Sequence, residues 1–178
     1  YKNAKNFGIG YVFFKGVSLS RGNYLIQIPS DSSHKSKEIS KIINYYNKNY
    51  DVVTTYYRNS GHRHMYRKIF TSLYTPLLNI LYGINLPYYN GITLFKSRLL
   101  KKIKINNKSF SYQIEIFVKL MHSHNIKKII IPTTLSDRRK GSKAFRFKNS
   151  VQVLISIINI FAVSLLLRIL KFFNHFKN

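Results

Sequence analysis

The chain has 178 residues and a formal net charge of +25, with 30 Lys and Arg against 5 Asp and Glu. Hydrophobic residues make up 45% of it, which excludes a disordered chain despite the charge and predicts one domain with a substantial core. The absence of cysteine excludes disulfides, zinc–thiolate sites and thiol catalysis. The excess of cations indicates an anionic partner, which leaves nucleic acid, a lipid surface and phosphorylated small molecules as candidates.

The first third of the chain alternates helical and strand patterns. It begins at Tyr1 rather than Met and has no apolar signal-peptide core there, so we expect an N-terminal truncation. The predicted elements are a helix over 8–22, a strand over 24–28, a helix over 37–47 and a strand over 51–57. Strand, helix and strand form the unit of a parallel α/β sheet, whose ligands bind at the carboxyl ends of strands. Asp31 and Arg58 lie just beyond two such ends.

The middle of the chain continues the same pattern. The predicted elements are a helix over 64–82, a turn over 88–91, a strand over 92–95, helices over 97–103 and 110–122, and a strand over 127–132. The last of these strands ends at Pro132, which fits a strand terminus or an edge strand. The turn before the strand over 92–95 contains Asn90 and Gly91.

The C-terminal segment over 151–173 is strongly apolar. Its longest mostly apolar stretch, over 151–167, would reach about 26 Å as a helix, slightly short of the ~30 Å hydrocarbon core of a bilayer. The helical spacing of Gln152, Ser156 and Asn159 favours an amphipathic helix that lies in a membrane interface, with Arg168 and Lys171 at headgroup level. A membrane-spanning helix and a core helix of the domain are the alternatives.

Two groups of polar residues near the predicted strand ends have both a chemical and a structural interpretation. Asp31 is the only acidic residue of its loop, and it either holds a divalent cation or caps the following turn or helix. Arg58 and Arg67 belong to a basic cluster over 58–68, which either binds phosphate at a helix N-terminus or forms a solvated face. The two histidines at 62 and 64 lack an evident third ligand and do not indicate zinc.

Two further groups lie later in the chain. Glu115, with Gln113 on the predicted helix over 110–122, is either a structural ion-pair partner or a group that orients a substrate. The loop over 137–143 is either a solvated run of charge or a phosphate clamp, in which Arg138, Ser142 and Lys143 supply cations and a hydroxyl.

Several short motifs occur in a specific order. They are NFGIG over 6–10, GNYLIQIPSD over 22–31, YQIE over 112–115, and IP at 131–132 followed by DRRKGSK over 137–143. Together, over most of residues 5–160, they resemble glycosyltransferase family 2, and within it the branch of dolichol- or polyprenyl-phosphate sugar transferases. The order and spacing of the motifs carry the resemblance, because no single motif is specific.

The resemblance implies an α/β fold of the GT-A (Rossmann-like) type, with a mixed, mainly parallel sheet flanked by helices. We expect the transferase domain over 1–148, with the first βα unit missing. The apolar helix over 149–178 is expected to be amphipathic and interfacial, or otherwise membrane-associated.

The resemblance also implies roles for individual residues. Asp31 matches the second aspartate of the family's metal motif, which helps to bind Mg²⁺ or Mn²⁺ and the donor diphosphate. Gln113 and Glu115 match the catalytic helix, with Glu115 near the sugar. Phosphate-binding positions are matched by five residues: Arg58, Arg67, Arg138, Ser142 and Lys143. Asn90 and Gly91 match the turn of the acceptor cleft. The first aspartate of the metal motif is replaced by Pro29, which weakens the expectation of a metal.

The resemblance implies transfer of a sugar, with inversion at its anomeric carbon, from a nucleotide-sugar donor to a polyprenyl-phosphate or glycan acceptor. The protein is then expected at an anionic membrane surface, on the cytoplasmic face, peripheral or anchored by its C-terminal helix. The alternatives are a non-catalytic homologue at the membrane surface and a nucleic-acid-binding module. We expect no nucleic acid, because an ordered α/β pattern and an apolar C-terminus are not needed to bind it.

Overall fold

The computed structural model describes residues 7–29, 34–58, 65–123, 125–134 and 147–175, and these contain six α-helices and four strands. The helices are α1 (Ile9–Leu19), α2 (Ser36–Ile43), α3 (Met65–Tyr82), α4 (Ser97–Lys102), α5 (Tyr112–Ser123) and α6 (Phe147–His175). The strands are β1 (Tyr24–Ile26), β2 (Val52–Tyr57), β3 (Thr93–Lys96) and β4 (Lys128–Thr133). Each predicted helix and strand is present, and the ends differ by a few residues.

The four strands form one mixed sheet in the order β1-β3-β2-β4. β3 is antiparallel to both of its neighbours, and β2 pairs in parallel with β4. Three of the four strands therefore run in one direction, and the predicted α/β class is confirmed. β1 and β2 are not neighbours, because β3 lies between them. We call the edge where β1 and β2 end the carboxyl edge of the sheet, and the opposite edge the amino edge.

The sheet has a hydrophobic core on each face because successive residues of a strand point to opposite sides. Val52 and Phe95 belong to the larger core, which also contains the buried face of α5 and parts of α1, α3 and α6. Val53 and Leu94 belong to the smaller core, which Ile42 of α2 closes. α5 is buried nearly all round, as expected of a helix that packs between a sheet and other helices.

α6 packs on the body of the protein through a stripe that includes Ser156, Ser164 and Arg168. Ser156 Oγ lies 3.2 Å from Ser109 Oγ, and Ser164 Oγ donates to Tyr82 O at 3.1 Å. Arg168 donates to Leu81 O at 2.9 Å, so its side chain binds the C-terminal end of α3. Its predicted position at headgroup level stays a prediction. A helix C-terminus has carbonyls without intrahelical partners, which explains why these polar groups face inward.

The outward side of α6 is apolar, and Ile158, at 68% exposure, is typical of it. One stretch of the described chain, Val153–Leu170, is long and apolar enough to cross a membrane by length and composition, with a mean hydropathy of 2.5. Only 11% of it is buried, which argues against a core helix. The predicted polar face is divided, since Ser156 faces the body while Asn159 is exposed, and the side chain of Gln152 lies outside the described part.

Asp51 connects three strands at the amino edge. Its carboxylate accepts a hydrogen bond from the backbone N–H of Lys127 at 3.0 Å and pairs with Lys96 at 3.0 Å. Arg98 lies further away, at 3.8 Å. Burial raises the pKa of the Asp51 carboxyl, but the Lys127 hydrogen bond and the Lys96 ammonium outweigh it, so that the pKa lies below its ordinary value.

We predict that Asp51→Asn lowers the free energy of unfolding by about 1 kcal/mol at pH 7. A carboxyl whose pKa is lower in the folded state stabilises the fold above its unfolded pKa, and this contribution is lost as the pH falls through the folded pKa. Urea unfolding of both proteins should therefore show a difference at pH 7 that shrinks below about pH 4. A difference that is constant down to pH 2.5 would contradict the ionic role of Asp51.

Candidate functional site

The carboxyl edge of the sheet brings together three segments that the sequence analysis singled out. β1 and β2 end there, at Ile26 and Tyr57. Because β3 is antiparallel to both, it begins at the same edge, with Thr93 paired to Thr54. The Asn90–Gly91 turn that precedes β3 therefore lies next to the ends of β1 and β2.

The Asn90–Gly91 turn is held by Gln113. The Gln113 side-chain amide donates to Gly91 O at 2.7 Å and to Thr93 Oγ1 at 2.9 Å. A Cβ on Gly91 would lie 2.1 Å from Thr55 O, so only glycine lets the turn approach β2 this closely. Gln113 is itself buried, which makes it a positioning residue for the turn. Asn90 is exposed at the rim, where its side chain is accessible.

A second contact ties α5 to the end of β1. The Tyr112 hydroxyl donates a hydrogen bond to Gln27 Oε1, just beyond β1. Burial raises the pKa of the Tyr112 hydroxyl well above its ordinary value, so this group remains a donor even in alkaline solution. α5 is thus tied to the residue that follows β1, four residues before Asp31 in the sequence.

Aromatic side chains at the end of β2 were not predicted as part of the site. The Tyr57 ring lies edge-on to Tyr88 at 5.0 Å between centroids, and the His34 ring lies 5.8 Å from Tyr57 on another side. His34 Nε2 and the Tyr57 hydroxyl are 3.5 Å apart. The available signal was positional, because Tyr57 is the last residue of a predicted strand and Tyr88 lies in the turn with Asn90.

Arg58 is at the predicted position. Its backbone N–H donates to Thr133 O at 3.0 Å, which fixes the residue just beyond β2, and its side chain is exposed. Asp31, Arg138, Ser142 and Lys143 lie outside the described residues, as does the side chain of Arg67, whose backbone belongs to α3. Their predicted roles stay predictions.

The contacts of Glu115 are typical of a structural residue. Its carboxylate accepts backbone hydrogen bonds from Asn106 at 3.2 Å and Asn107 at 2.9 Å, and it pairs with Lys119 at 2.7 Å. Both oxygens are engaged and the residue is 4% exposed. Residues two apart on a helix point in nearly opposite directions, so Gln113 and Glu115 do not act as a pair on one face. The contacts favour the ion-pair alternative over the orientation of a sugar.

The described residues do not form a metal site by themselves. They contain no group of three or more His, Asp or Glu side chains placed to hold a metal ion. Among the described residues of a type that can bind a metal, His34 is the nearest to Asp31 in the sequence. Its Nε2 atom lies 3.5 Å from the Tyr57 hydroxyl.

We predict that Glu115→Gln lowers the free energy of unfolding by about 1–3 kcal/mol, because a neutral amide leaves Lys119 without its ion pair and one backbone N–H without an acceptor. Chemical unfolding of Glu115→Gln, Lys119→Met and the double variant measures the coupling between the two. The double variant should be less destabilised than the sum of the single variants. Unchanged stability combined with lost activity would instead support the sugar-orienting role.

Comparison with known proteins agrees with this architecture. The family model for glycosyl transferase family 2 matches residues 1–104, which include β1, β2, β3 and the Asn90–Gly91 turn. Glucosyl-3-phosphoglycerate synthase from Mycobacterium tuberculosis, in complex with Mn²⁺, UDP-glucose and phosphoglyceric acid, matches with a TM-score of 0.69 and 14% identity. The match covers 90% of this chain and 57% of that one.

Two further structures give the same result. A complex of the same enzyme with Mg²⁺ and UDP has a TM-score of 0.68 and 15% identity, over 90% of this chain and 57% of that one. A mycobacterial protein has a TM-score of 0.67 and 17% identity, over 90% of this chain and 54% of that one. At these identities the likeness shows the fold, and the chain spans little more than half the length of these structures. Since the family model covers more than half of the chain, the chain belongs to glycosyl transferase family 2.

Proposed function

We propose that this chain transfers a sugar from a nucleotide-sugar donor to an acceptor that carries a phosphate group. The observation that carries the proposal is the family match, because it spans the strand ends and the Asn90–Gly91 turn that meet at the carboxyl edge. Ligands of open α/β sheets bind at this edge. The M. tuberculosis structures, which contain UDP-glucose and phosphoglyceric acid, support a nucleotide-sugar donor and a phosphorylated acceptor.

The proposed reaction is an inverting displacement at the anomeric carbon of the sugar. An oxygen of the acceptor phosphate forms a bond to this carbon while the bond from the carbon to the diphosphate oxygen breaks, and the nucleoside diphosphate leaves with the electron pair. A phosphate monoester has its second pKa near 6, so it is largely ionised at neutral pH and needs no general base. This chemistry suits a site in which the Glu115 carboxylate is already bound by backbone N–H groups and Lys119 and is not available as a base.

The leaving diphosphate develops negative charge that the site must stabilise. Arg58 is a described cation at this edge, and its side chain is exposed. The predicted loop cations Arg138 and Lys143 would add to it. A divalent ion, held by Asp31 and supported by the Mn²⁺ and Mg²⁺ of the solved relatives, would neutralise the diphosphate further.

We predict that Arg58→Ala lowers kcat/KM about tenfold to hundredfold, because a charged hydrogen bond to the diphosphate is worth about 1.5–3 kcal/mol. The measurement is release of nucleoside diphosphate from a panel of nucleotide sugars, with short-chain polyprenyl phosphate or phosphoglyceric acid as acceptor, with and without Mn²⁺ or Mg²⁺. Lys15→Ala, which removes an exposed cation of α1, is the matched control and should leave kcat/KM unchanged.

The same assay separates the enzyme from a non-catalytic homologue. The replacement of the first motif aspartate by Pro29 is the observation that favours the homologue. If the protein bound the donor without turnover, and Asp31→Ala bound it equally well, the transferase proposal would be overturned in favour of the non-catalytic homologue. Turnover that needs Asp31 and a divalent ion would support the enzyme.

We also propose that the acceptor is lipid-linked and that α6 lies on the membrane that contains it. The support is the outward apolar face of α6, which includes Leu154, Ile158 and Leu166, each more than half exposed. α3 adds Leu73, Leu77 and Ile80, which are also more than half exposed. Exposed apolar area of this extent is unusual for a monomer in water, and the net charge of +25 favours an anionic surface.

We predict that the protein sediments with vesicles that contain anionic lipid, and that Leu154→Asp combined with Ile158→Asp weakens this binding at least about tenfold. A carboxylate costs about 2.5–3.5 kcal/mol at the centre of a bilayer and less near its surface. Leu19→Asp, at an exposed apolar residue of α1, is the control and should bind normally. Equal binding of both variants, or no binding by the unchanged protein, would overturn the lipid-facing role of α6.

A further inference from the structure

A second cationic site lies at the amino edge of the sheet, away from the proposed transfer site. It is a cavity of about 380 Å³ between the α1–β1 connection and α4. Four of the side chains that line it are cations, Arg21, Lys96, Arg98 and Lys101, and none of its lining residues is acidic. Its volume is at the lower end of the range for small-molecule sites.

The cavity and the proposed transfer site lie at opposite ends of the same pair of strands. Tyr24 and Lys96, which line the cavity, are partners in the β1–β3 ladder at the amino edge. Gln27 and the Asn90–Gly91 turn lie beyond the other end of this ladder. The two sites are thus separated by the length of β3, about 10 to 13 Å of strand. The cavity is therefore separate from the proposed transfer site.

Two of the four cations are committed to the protein. Lys96 pairs with Asp51 at 3.0 Å and donates to Asn49 Oδ1 at 2.8 Å. Lys101 donates to Ser20 O at 2.9 Å. These contacts hold the two ammonium groups, and therefore their positive charge, in place beside the cavity.

The two arginines are more available. Arg98 approaches Asp51 only to 3.8 Å, and its side chain is 72% exposed. Arg21 is exposed and makes no ion pair with another described residue. Four cations against the one carboxylate of Asp51 leave a local charge of three positive. Arginine is suited to phosphate because its planar guanidinium can donate two parallel hydrogen bonds.

Ser97 provides an independent indication of a ligand. It lines the cavity and is only 4% exposed. Its hydroxyl has no hydrogen-bond partner among the described residues. Its backbone is fixed, because Ser97 N–H donates to Asn23 O at 2.9 Å. A buried hydroxyl without a partner destabilises a protein. The Ser97 Oγ atom has less than 1 Å² of accessible surface, so it would turn about its χ1 bond toward the cavity to donate to a ligand oxygen.

We propose that this cavity binds the phosphate group of a small phosphorylated ligand, through the guanidinium groups of Arg21 and Arg98 and the hydroxyl of Ser97. Lys96 and Lys101 supply the surrounding positive charge. The site is independent of the proposed transfer reaction, because none of these residues lies at the carboxyl edge. The phosphate can belong to a soluble molecule or to a lipid headgroup, which share the same recognition chemistry.

The test is a titration of the protein with inorganic phosphate at constant ionic strength, followed by amide NMR shifts at Gly22, Asn23 and Ser97. We expect saturable shifts at these residues, and Arg21→Gln should weaken the binding that they report at least about fivefold. Lys102→Gln, on the same helix as Ser97 but outside the cavity, removes the same charge and should have little effect. Equal weakening by both variants would show diffuse electrostatic attraction and overturn the proposal.

Ser97→Ala provides a readout that a purely structural hydroxyl would not give. It removes an unpartnered buried group, so the melting temperature without phosphate should stay the same or rise. Phosphate affinity should nevertheless fall, by about threefold or more. A fall in the melting temperature with unchanged phosphate affinity would overturn the role of Ser97 in the site.

A second arm identifies the source of the phosphate. Binding to vesicles of phosphatidylcholine with and without phosphatidic acid is compared for the unchanged protein and Arg21→Gln. A loss that appears only with phosphatidic acid supports a lipid headgroup, and a loss confined to free phosphate supports a soluble ligand. No loss in either arm overturns the proposal. Arg58→Ala, at the other edge, should change neither arm at the cavity, so this result does not depend on the transferase activity.

Discussion

The close approach of the Asn90–Gly91 turn to β2 is the constraint on which the rest of the structure depends. Gly91 has room for no Cβ beside Thr55 O, and the buried Gln113 amide holds its carbonyl in place. β3 can therefore enter the sheet between β1 and β2, and the Thr93 and Thr54 hydroxyls are hydrogen-bonded at 2.8 Å. A buried polar network of this kind is stable only when every member is satisfied. Its geometry is what brings the turn and the two strand ends to one edge.

Buried polar contacts also explain how α6 packs on the rest of the protein. Leu81 O and Tyr82 O end α3 and would lack partners, and Arg168 and Ser164 satisfy them from α6. His122 Nε2 also lies 2.7 Å from Tyr82 O, so α5 takes part in the same contact. Ser156, Ser164 and Arg168 of α6 face inward, while Asn159 and many of its large apolar side chains lie on the outside. This distribution is the reverse of that on a surface helix in water, and it suits a lipid environment.

Cationic side chains lie at both the carboxyl edge and the amino edge of the sheet. At the carboxyl edge, Arg58 lies beside the turn and the strand ends, where family 2 membership and the sheet topology favour a sugar donor. At the amino edge, Asp51 fixes Lys96 while Arg21 and Arg98 remain accessible around the Ser97 hydroxyl. The fold thus gives the high net charge two local uses, since cations gathered in a concave site act more strongly on an anion than cations spread over a surface.

The sequence by itself determined the helices and strands, the α/β class and the family. Local periodicity and turn residues decide these features, and the motif around Gly22–Asp31 carries the family resemblance. The sequence also predicted that Arg58 lies just beyond the end of a strand. Only the tertiary structure decided that β3 separates β1 from β2, that Gln113 and Glu115 serve opposite sides of α5, and that Arg168 binds the end of α3. Each of these depends on a partner far away in the chain, and a local pattern contains no information about which distant carbonyl or N–H a side chain will meet.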